Sequence, residues 1–256
     1  MRDFYERFYA VTAASPAHAE FCRRVYGRDL CQHGFADMAQ IHALIDITGL
    51  GPGDRALDLG CGNGMIAEYI SDCTGAHVTG LDYIPAAIQQ AQARTAAKAQ
   101  RLEFTVGDIN ALDLPDAAFD VILSIDTLYF SQDCALTIAQ LRRALRAGGQ
   151  MAILFSHGRE PWVPLDEFAA ESVLPDKTPL AVALQANGLS FMVQEFTADD
   201  LRLAKRRQEV LAELGPAFEA EGILFIHENR TGDANGIRDA IERGLQRRYL
   251  YHVVVP

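Results

Sequence analysis

Short apolar runs alternate with helical stretches from Arg55 to Phe155, one pair about every 25 residues, and acids follow several of the apolar runs. This pattern predicts a doubly wound α/β fold around a mostly parallel sheet with right-handed crossovers. Helical stretches precede it, and an apolar, β-prone run closes the chain. The full expectation is a mostly parallel seven-stranded sheet, with N-terminal helices and a helical insertion before an antiparallel last strand.

Taken in order, Phe4, Phe8 and Val11 share one face of a first helix, and Tyr5, Tyr9 and Thr12 the next. Ser15-Pro16 is a cap and first turn for a second helix, roughly 16–26. A third runs from Phe35 to Thr48, where Gly49-Leu-Gly-Pro-Gly53 stops it. The alternating region then reads as strand Ala56–Leu59, helix Met65–Cys73, strand His77–Leu81 and helix Pro85–Lys98. It continues as strands Leu102–Val106 and Phe119–Ile125, helix Cys134–Leu145 and strand Gln150–Phe155. Beyond it lie a helix Thr178–Asn187, a strand Leu189–Phe196 and a charged helix Asp199–Leu214. A last helix, Asn235–Arg248, carries Ile237, Ile241 and Leu245, and Tyr249–Val255 is the final strand. Residues 1–50 are expected to form a helical lid on a domain spanning 51–256, with the insertion at about 197–248.

Composition narrows the function. The 256 residues are 49% hydrophobic and 22% charged, within the range of globular domains. Thirty-four acids against 23 Lys and Arg give a net charge of −11, which argues against nucleic acid as main partner. The five cysteines are scattered without a CxxC, and there is no HExxH, so no metal or redox pair is expected. The start lacks an apolar signal core, and no apolar run approaches a membrane span, so a cytoplasmic protein is expected.

The strongest chemical signal is Asp58-Leu-Gly60-Cys61-Gly62-Asn-Gly64, joining a strand to a helix. Glycines let the backbone approach a ligand closely, and the free N–H groups of a helix start favour a negative group. Asp58, two residues before the first glycine, suits a cationic or hydroxyl group of the same ligand. Asp82 ends the second strand, where a carboxylate accepts ribose hydroxyls, though it also suits a helix cap. Tyr83 suits an adenine face. Asp108 suits an adenine amino group, with Ile109 against the ring. Ser124, Ile125 and Asp126 close the fourth strand, and Tyr129 follows; this segment would face the reacting group. Asp126 reads equally as a substrate contact or a turn acid. Asp120, at the other end of that strand, reads as structural.

Together these segments resemble the class I S-adenosylmethionine-dependent methyltransferases, which are Rossmann-like. DLGCGNG resembles the family's glycine-rich motif, GLDY its ribose acid and GDI its adenine motif. FDVILSIDTLYF resembles its fourth strand, and LRAGG the turn before the fifth. The resemblance covers about residues 55–156 and is nearest the small-molecule branch with an N-terminal lid. It implies S-adenosylmethionine as cofactor. It places the methionine portion on Gly60, Gly62 and nearby backbone, the ribose on Asp82, and adenine between Asp108 and Ile109. A dinucleotide is the runner-up, but the spacing here is GxGxG, not GxGxxG, and position 65 is Met.

The acceptor is reached by elimination. The fourth strand lacks the Asn- or Asp-Pro-Pro-aromatic turn of base methylation, no paired-Glu loop follows it, and no metal cluster is evident. A small molecule remains, methylated on N, O or S. Tyr5, Tyr9, Tyr26 and the Cys31–Phe35 turn either cover the ligand or simply pack. His33 and His157 are the candidate bases, with Tyr129 beside the reacting group. His227-Glu228-Asn229-Arg230 reads as an exposed loop, and Lys205-Arg206-Arg207 as a solvated face. A non-catalytic sensor or partner protein that binds the cofactor is the alternative of a different class.

Overall fold

The computed structural model describes residues 2–159 and 162–256. Three helices come first: α1 (Arg2–Thr12), α2 (Pro16–Tyr26) and α3 (Met38–Thr48). Ser15 accepts the His18 N–H at 3.0 Å and Pro16 opens the first turn of α2, while Gly27 closes it in the left-handed region. Asp37 caps α3 through the Gln40 N–H, which is why this helix starts three residues after the expected Phe35.

The sheet then builds through β1 (Arg55–Leu59), α4 (Met65–Thr74), β2 (His77–Asp82), α5 (Pro85–Arg94), β3 (Leu102–Val106), β4 (Phe119–Ile125), α6 (Cys134–Ala144) and β5 (Leu145–Gly158). After it come α7 (Pro179–Ala186), β6 (Phe191–Glu195), α8 (Thr197–Ala220), α9 (Leu224–Glu242) and β7 (Gln246–Val254). The strand order is β3-β2-β1-β4-β5-β7-β6. The first five strands are parallel and β7 runs antiparallel between β5 and β6, which makes the expected seven-stranded sheet.

The central strands are covered on both sides. Leu57, Leu59, Ile122 and Ile153 pack on one face with α6 and α7. Their neighbours Ala56, Val121, Leu123 and Leu154 pack on the other with α3, α4 and α5. A third core joins α1 and α2 to α8 and α9 through Phe8, Phe21, Phe218 and Ile226. No described helix is long and apolar enough to cross a membrane.

Further boundaries depart from the sequence reading. Helix α8 runs through Pro216, where Gly215-Pro216 suggested an end at Leu214. Helix α9 starts at Leu224, eleven residues before the expected Asn235, because two interior glycines mask its periodicity. It stops at Glu242, since Gly244 is left-handed, and Gln246–Arg248 belong to β7, paired with Gly158, His157 and Ser156. Strand β5 begins at Leu145, opposite Phe119, and shifts register around the Arg146–Gly149 turn before pairing again at Gln150. Asp120 is structural as expected: it accepts the Arg55 N–H at 2.8 Å and pairs with Arg146.

Candidate functional site

The carboxyl ends of β1, β2 and β4 meet at one edge of the sheet, where the glycine loop leaves β1. Leu81 O accepts the N–H groups of Gly60 and Cys61 at 2.7 and 3.1 Å, pinning the loop to β2. Gly60, Gly62 and Gly64 all adopt positive φ. A Cβ at Gly60 would collide with Thr127, and one at Gly62 with the Tyr9 hydroxyl. The motif therefore needs glycine both for its backbone conformation and for close approach. No side chain caps the N-terminus of α4, which follows the loop.

Asp82 holds the loop from the other side. Its Oδ2 accepts the Gly62 N–H at 2.8 Å and its Oδ1 the Ile84 N–H at 2.9 Å. It is at once a turn acid before α5 and a ligand of the loop. Burial raises its pKa, against the pull of these backbone N–H groups. Asp58 is 3% exposed. Burial, reinforced by the Asp82 charge, pushes its carboxyl up to about 7. Such a group is poised to ionise against a cation.

These residues line a cavity of about 1260 Å³. Asp58, Gly60, Cys61, Gly62, Asp82 and Tyr83 form the wall beside the glycine loop, and Asp108 and Ile109 extend it. Asp108 is exposed and accepts the Asn110 N–H at 2.8 Å. Tyr83 is 40% exposed, and the Arg2 guanidinium lies over its ring at 5.0 Å. Tyr5, Tyr9, Tyr129 and the whole Cys31–Phe35 turn line the cavity too, so the N-terminal segment covers the sheet edge. Among the described residues no group of three or more His, Cys, Asp or Glu could hold a metal.

Several expectations are corrected. Ser124 is fully buried and does not reach the cavity; its hydroxyl has no hydrogen-bond partner among the described residues. Tyr26 lies in the core beneath Arg207 and is not a cavity residue. Asp126 lines the cavity, but its carboxylate is engaged. Oδ1 and Oδ2 take Arg248 in a bidentate pair at 2.6 and 3.0 Å, and Oδ2 also accepts the Phe35 N–H at 2.7 Å. Arg248 continues to Gln40 and Ser156. This buried knot ties the N-terminal segment to the sheet, which is the turn-acid reading rather than the substrate one. Arg207 is buried, not solvated, with its guanidinium over Phe35 at 4.5 Å. Residues 227–230 are helical, not a loop, and Arg230 is buried.

The two histidines sit differently. His33 packs edge-on to Tyr5, Phe8 and Phe4, with centroids 4.8, 4.9 and 5.4 Å away. Burial, with Arg230 close by, pushes its pKa well below the ordinary histidine value, so it is neutral. Its Nε2 is buried without a hydrogen-bond partner among the described residues. A neutral imidazole with an open nitrogen is the form a base requires. His157 lies parallel to Phe155 and its Nε2 is 3.3 Å from Ser172 Oγ; burial lowers its pKa as well. Trp162, beyond it, is 77% exposed.

Helix α9 supplies what sequence reasoning missed. Asn229, Gly232, Asp233 and Gly236 line the cavity along one face of it. Their i, i+3, i+4, i+7 spacing is a helical stripe, legible only once the helix is known to begin at Leu224.

Residues 50–179, half of the chain, match the family described as "Methyltransferase domain". The chain is 31% identical over 229 residues to phosphoethanolamine N-methyltransferase 1 of Zea mays, covering 88% of this chain and 44% of that protein. It is 33% identical over 150 residues to 27-O-demethylrifamycin SV methyltransferase of Amycolatopsis mediterranei, covering 54% of each. The first curated relatives are longer, and the chain spans only 28%, 34% and 44% of them. Among solved structures, Haemonchus contortus phosphoethanolamine N-methyltransferase 2, in complex with phosphomonomethylethanolamine and S-adenosylhomocysteine, superposes with a TM-score of 0.71. It is 18% identical, covering 98% of this chain and 60% of that one, and so shares the fold.

Proposed function

This chain belongs to the methyltransferase-domain family, and from that premise we propose that it transfers the methyl group of S-adenosylmethionine to N, O or S of a small molecule bound beneath a lid formed by residues 1–50. The observation that carries the proposal is the convergence on one cavity of the positive-φ glycine loop, Asp58, Asp82 and Asp108 with Ile109. The residues fit the cofactor. Gly60 and Gly62, at positive φ with Thr127 and Tyr9 packed against them, hold the loop backbone at the cavity wall, where only glycine fits. The Asp58 carboxyl, costly to ionise alone, gains a counter-charge from a cationic amino group. Asp82, pre-oriented by two backbone N–H groups, keeps lone pairs for ribose hydroxyls. Asp108 and Ile109, further along the same wall, would frame the adenine.

When bound, S-adenosylmethionine supplies an electrophilic methyl on a sulfonium that leaves readily. The chain's own work is alignment and exclusion of water. Tyr5, Tyr9 and the Cys31–Phe35 turn cover the cavity. The Asp126–Arg248 knot fixes that turn against the sheet edge. His33 takes the proton of an acceptor that must lose one, and His157 is the second candidate. The relatives' names span phosphoethanolamine and 27-O-demethylrifamycin SV, so the acceptor class rests on the cavity rather than on likeness.

Calorimetric titration with S-adenosylmethionine, S-adenosylhomocysteine and NAD in parallel tests the proposal. Micromolar binding of the first two without NAD is expected; binding of NAD alone overturns it. In Asp82→Ala, affinity for S-adenosylhomocysteine should fall at least 100-fold while the cooperative melt persists. Unchanged affinity removes Asp82 from the site.

A further inference from the structure

One compartment of the cavity brings an unpaired carboxylate together with neutral polar side chains and aromatic rings. Asn229 Oδ1 and His33 Nε2 are both buried, and neither has a hydrogen-bond partner among the described residues. The two side chains adjoin as a polar pair, and Asn229 works against the lowering of the His33 pKa. One helical turn further along α9, Asp233 also lines the cavity and makes no hydrogen bond or salt bridge among the described residues. Tyr5 and Tyr129 line the same cavity. Around these groups stand aromatic rings: Tyr5 packs on His33 at 4.8 Å and on Phe130 at 6.1 Å. Gly232 and Gly236 leave open space along the same helix face, where a Cβ would meet nothing within 4 Å.

The charge of the lining points the same way. Asp58, Asp82, Asp108 and Asp233 face the cavity, and Asp126 is already matched by Arg248. Among the described lining residues Arg159 is the one cation, and its guanidinium donates to the Val163 carbonyl. Phosphate recognition calls for forked or clustered cations. Here a phosphate would meet the Asp233 carboxylate without a forked or clustered cation to offset it. The Arg230 and Arg207 charges reach Asp233, but neither guanidinium lines the cavity, and Arg230 donates to the carbonyls of Gln32 and His33.

Resting on the methyltransferase reading, we infer that this compartment selects an acceptor that presents hydrogen-bond donors, a hydroxyl or an amine, and carries no phosphate, with Asp233 as the discriminating residue. Donors on the ligand satisfy the Asp233 carboxylate and the Asn229 amide oxygen together. Leaving any of these acceptors unmatched in a closed site is what rejects the wrong ligand.

The test uses the full chain saturated with S-adenosylhomocysteine and titrated with matched pairs that differ by one phosphate. Ethanolamine against phosphoethanolamine is the amine arm, and myo-inositol against its monophosphate is the hydroxyl arm. In at least one arm the unphosphorylated member should bind tenfold tighter or more, and the arm that binds identifies the donor. Equal or reversed preference in both arms overturns the inference while leaving the cofactor reading intact. Failure of S-adenosylhomocysteine itself to bind overturns both. In Asp233→Asn, with melting and S-adenosylhomocysteine affinity recorded to show an intact cavity, the preference should shrink below threefold; full retention removes Asp233 as the discriminator.

Discussion

The sheet and the helical cap made by α1, α2, α8 and α9 bury their surfaces with different materials. Each central strand alternates aliphatic side chains between two apolar cores. The cap has an aromatic core too, but its deepest side chains include Arg207 and Arg230, and Arg248 lies where the N-terminal segment meets the sheet. Arg230 donates to the carbonyls of Gln32 and His33, reaches His18 Nε2 at 3.2 Å, and lies over the Phe8 and Phe21 rings. Apolar burial is indifferent to direction and to pH. Buried charge is neither, because each donor must find its acceptor. The cap is therefore the part of the molecule that specific chemistry can loosen while the sheet stands.

Breaking that contrast begins with two substitutions of comparable size. Leu57→Ala, in the fully buried centre of β1, should cost about 3 kcal/mol through lost contact and a residual cavity. Arg230→Met strands two carbonyls and should also cost about 3 kcal/mol. The two should differ in where the loss appears. Hydrogen exchange of Leu57→Ala should rise across β1, β2 and β4 together. In Arg230→Met it should rise first in residues 2–36, with the β-strand amides still protected. Uniform exposure of strands and cap in Arg230→Met would mean that the two regions unfold as one.

The same contrast explains what the sequence made legible. Strands β3 and β4 and helix α2 fall at the residues expected from it, because apolar periodicity and caps act locally. The glycine loop and Asp82 were equally visible, since spacing alone places them on one sheet edge. The cap was not. Arg207 in a Lys-Arg-Arg run looks solvated by composition, and only tertiary packing of Phe35 and Tyr26 against it says otherwise. Asp126 read equally as a substrate contact or a turn acid, because its partner Arg248 lies 122 residues away. Asn229 and Asp233 were hidden by Gly232 and Gly236, which made a helix read as a loop.

Acid sharpens the comparison with a smaller effect. His18 and His33 are both held well below the ordinary histidine pKa by burial, with the Arg230 charge adding to it. The unfolded chain binds protons at these positions as pH falls through about 6.5, while the folded cap does not. Stability is thus full above that pH and is lost below it. Between pH 7 and 5.5 the cap should lose about 2 kcal/mol, read as cap-specific hydrogen exchange. His18→Gln should flatten part of this slope. An unchanged slope would return the acid sensitivity to other groups.

The smallest effect lies on the sheet side and runs in the opposite sense. Asp58 titrates at about 7 because it is buried beside Asp82, and its folded pKa is therefore above its unfolded one. Its protonated form favours folding at low pH, and that contribution fades as pH rises through 7. A ligand ammonium reverses the balance by favouring the ionised carboxylate. Binding of S-adenosylhomocysteine at pH 7 should then release about half a proton, and affinity should climb roughly tenfold between pH 6 and 8. Calorimetry in two buffers of different ionisation enthalpy reads the proton directly. Asp82 is shifted in the same direction and shares the titration, so the variant that isolates Asp58 is Asp58→Asn, which keeps the shape and removes the charge. Proton release that survives in Asp58→Asn would assign the titration to Asp82. Its disappearance would make Asp58 the residue through which the sheet edge senses a cationic ligand, while the cap above it weakens with acid for an unrelated reason.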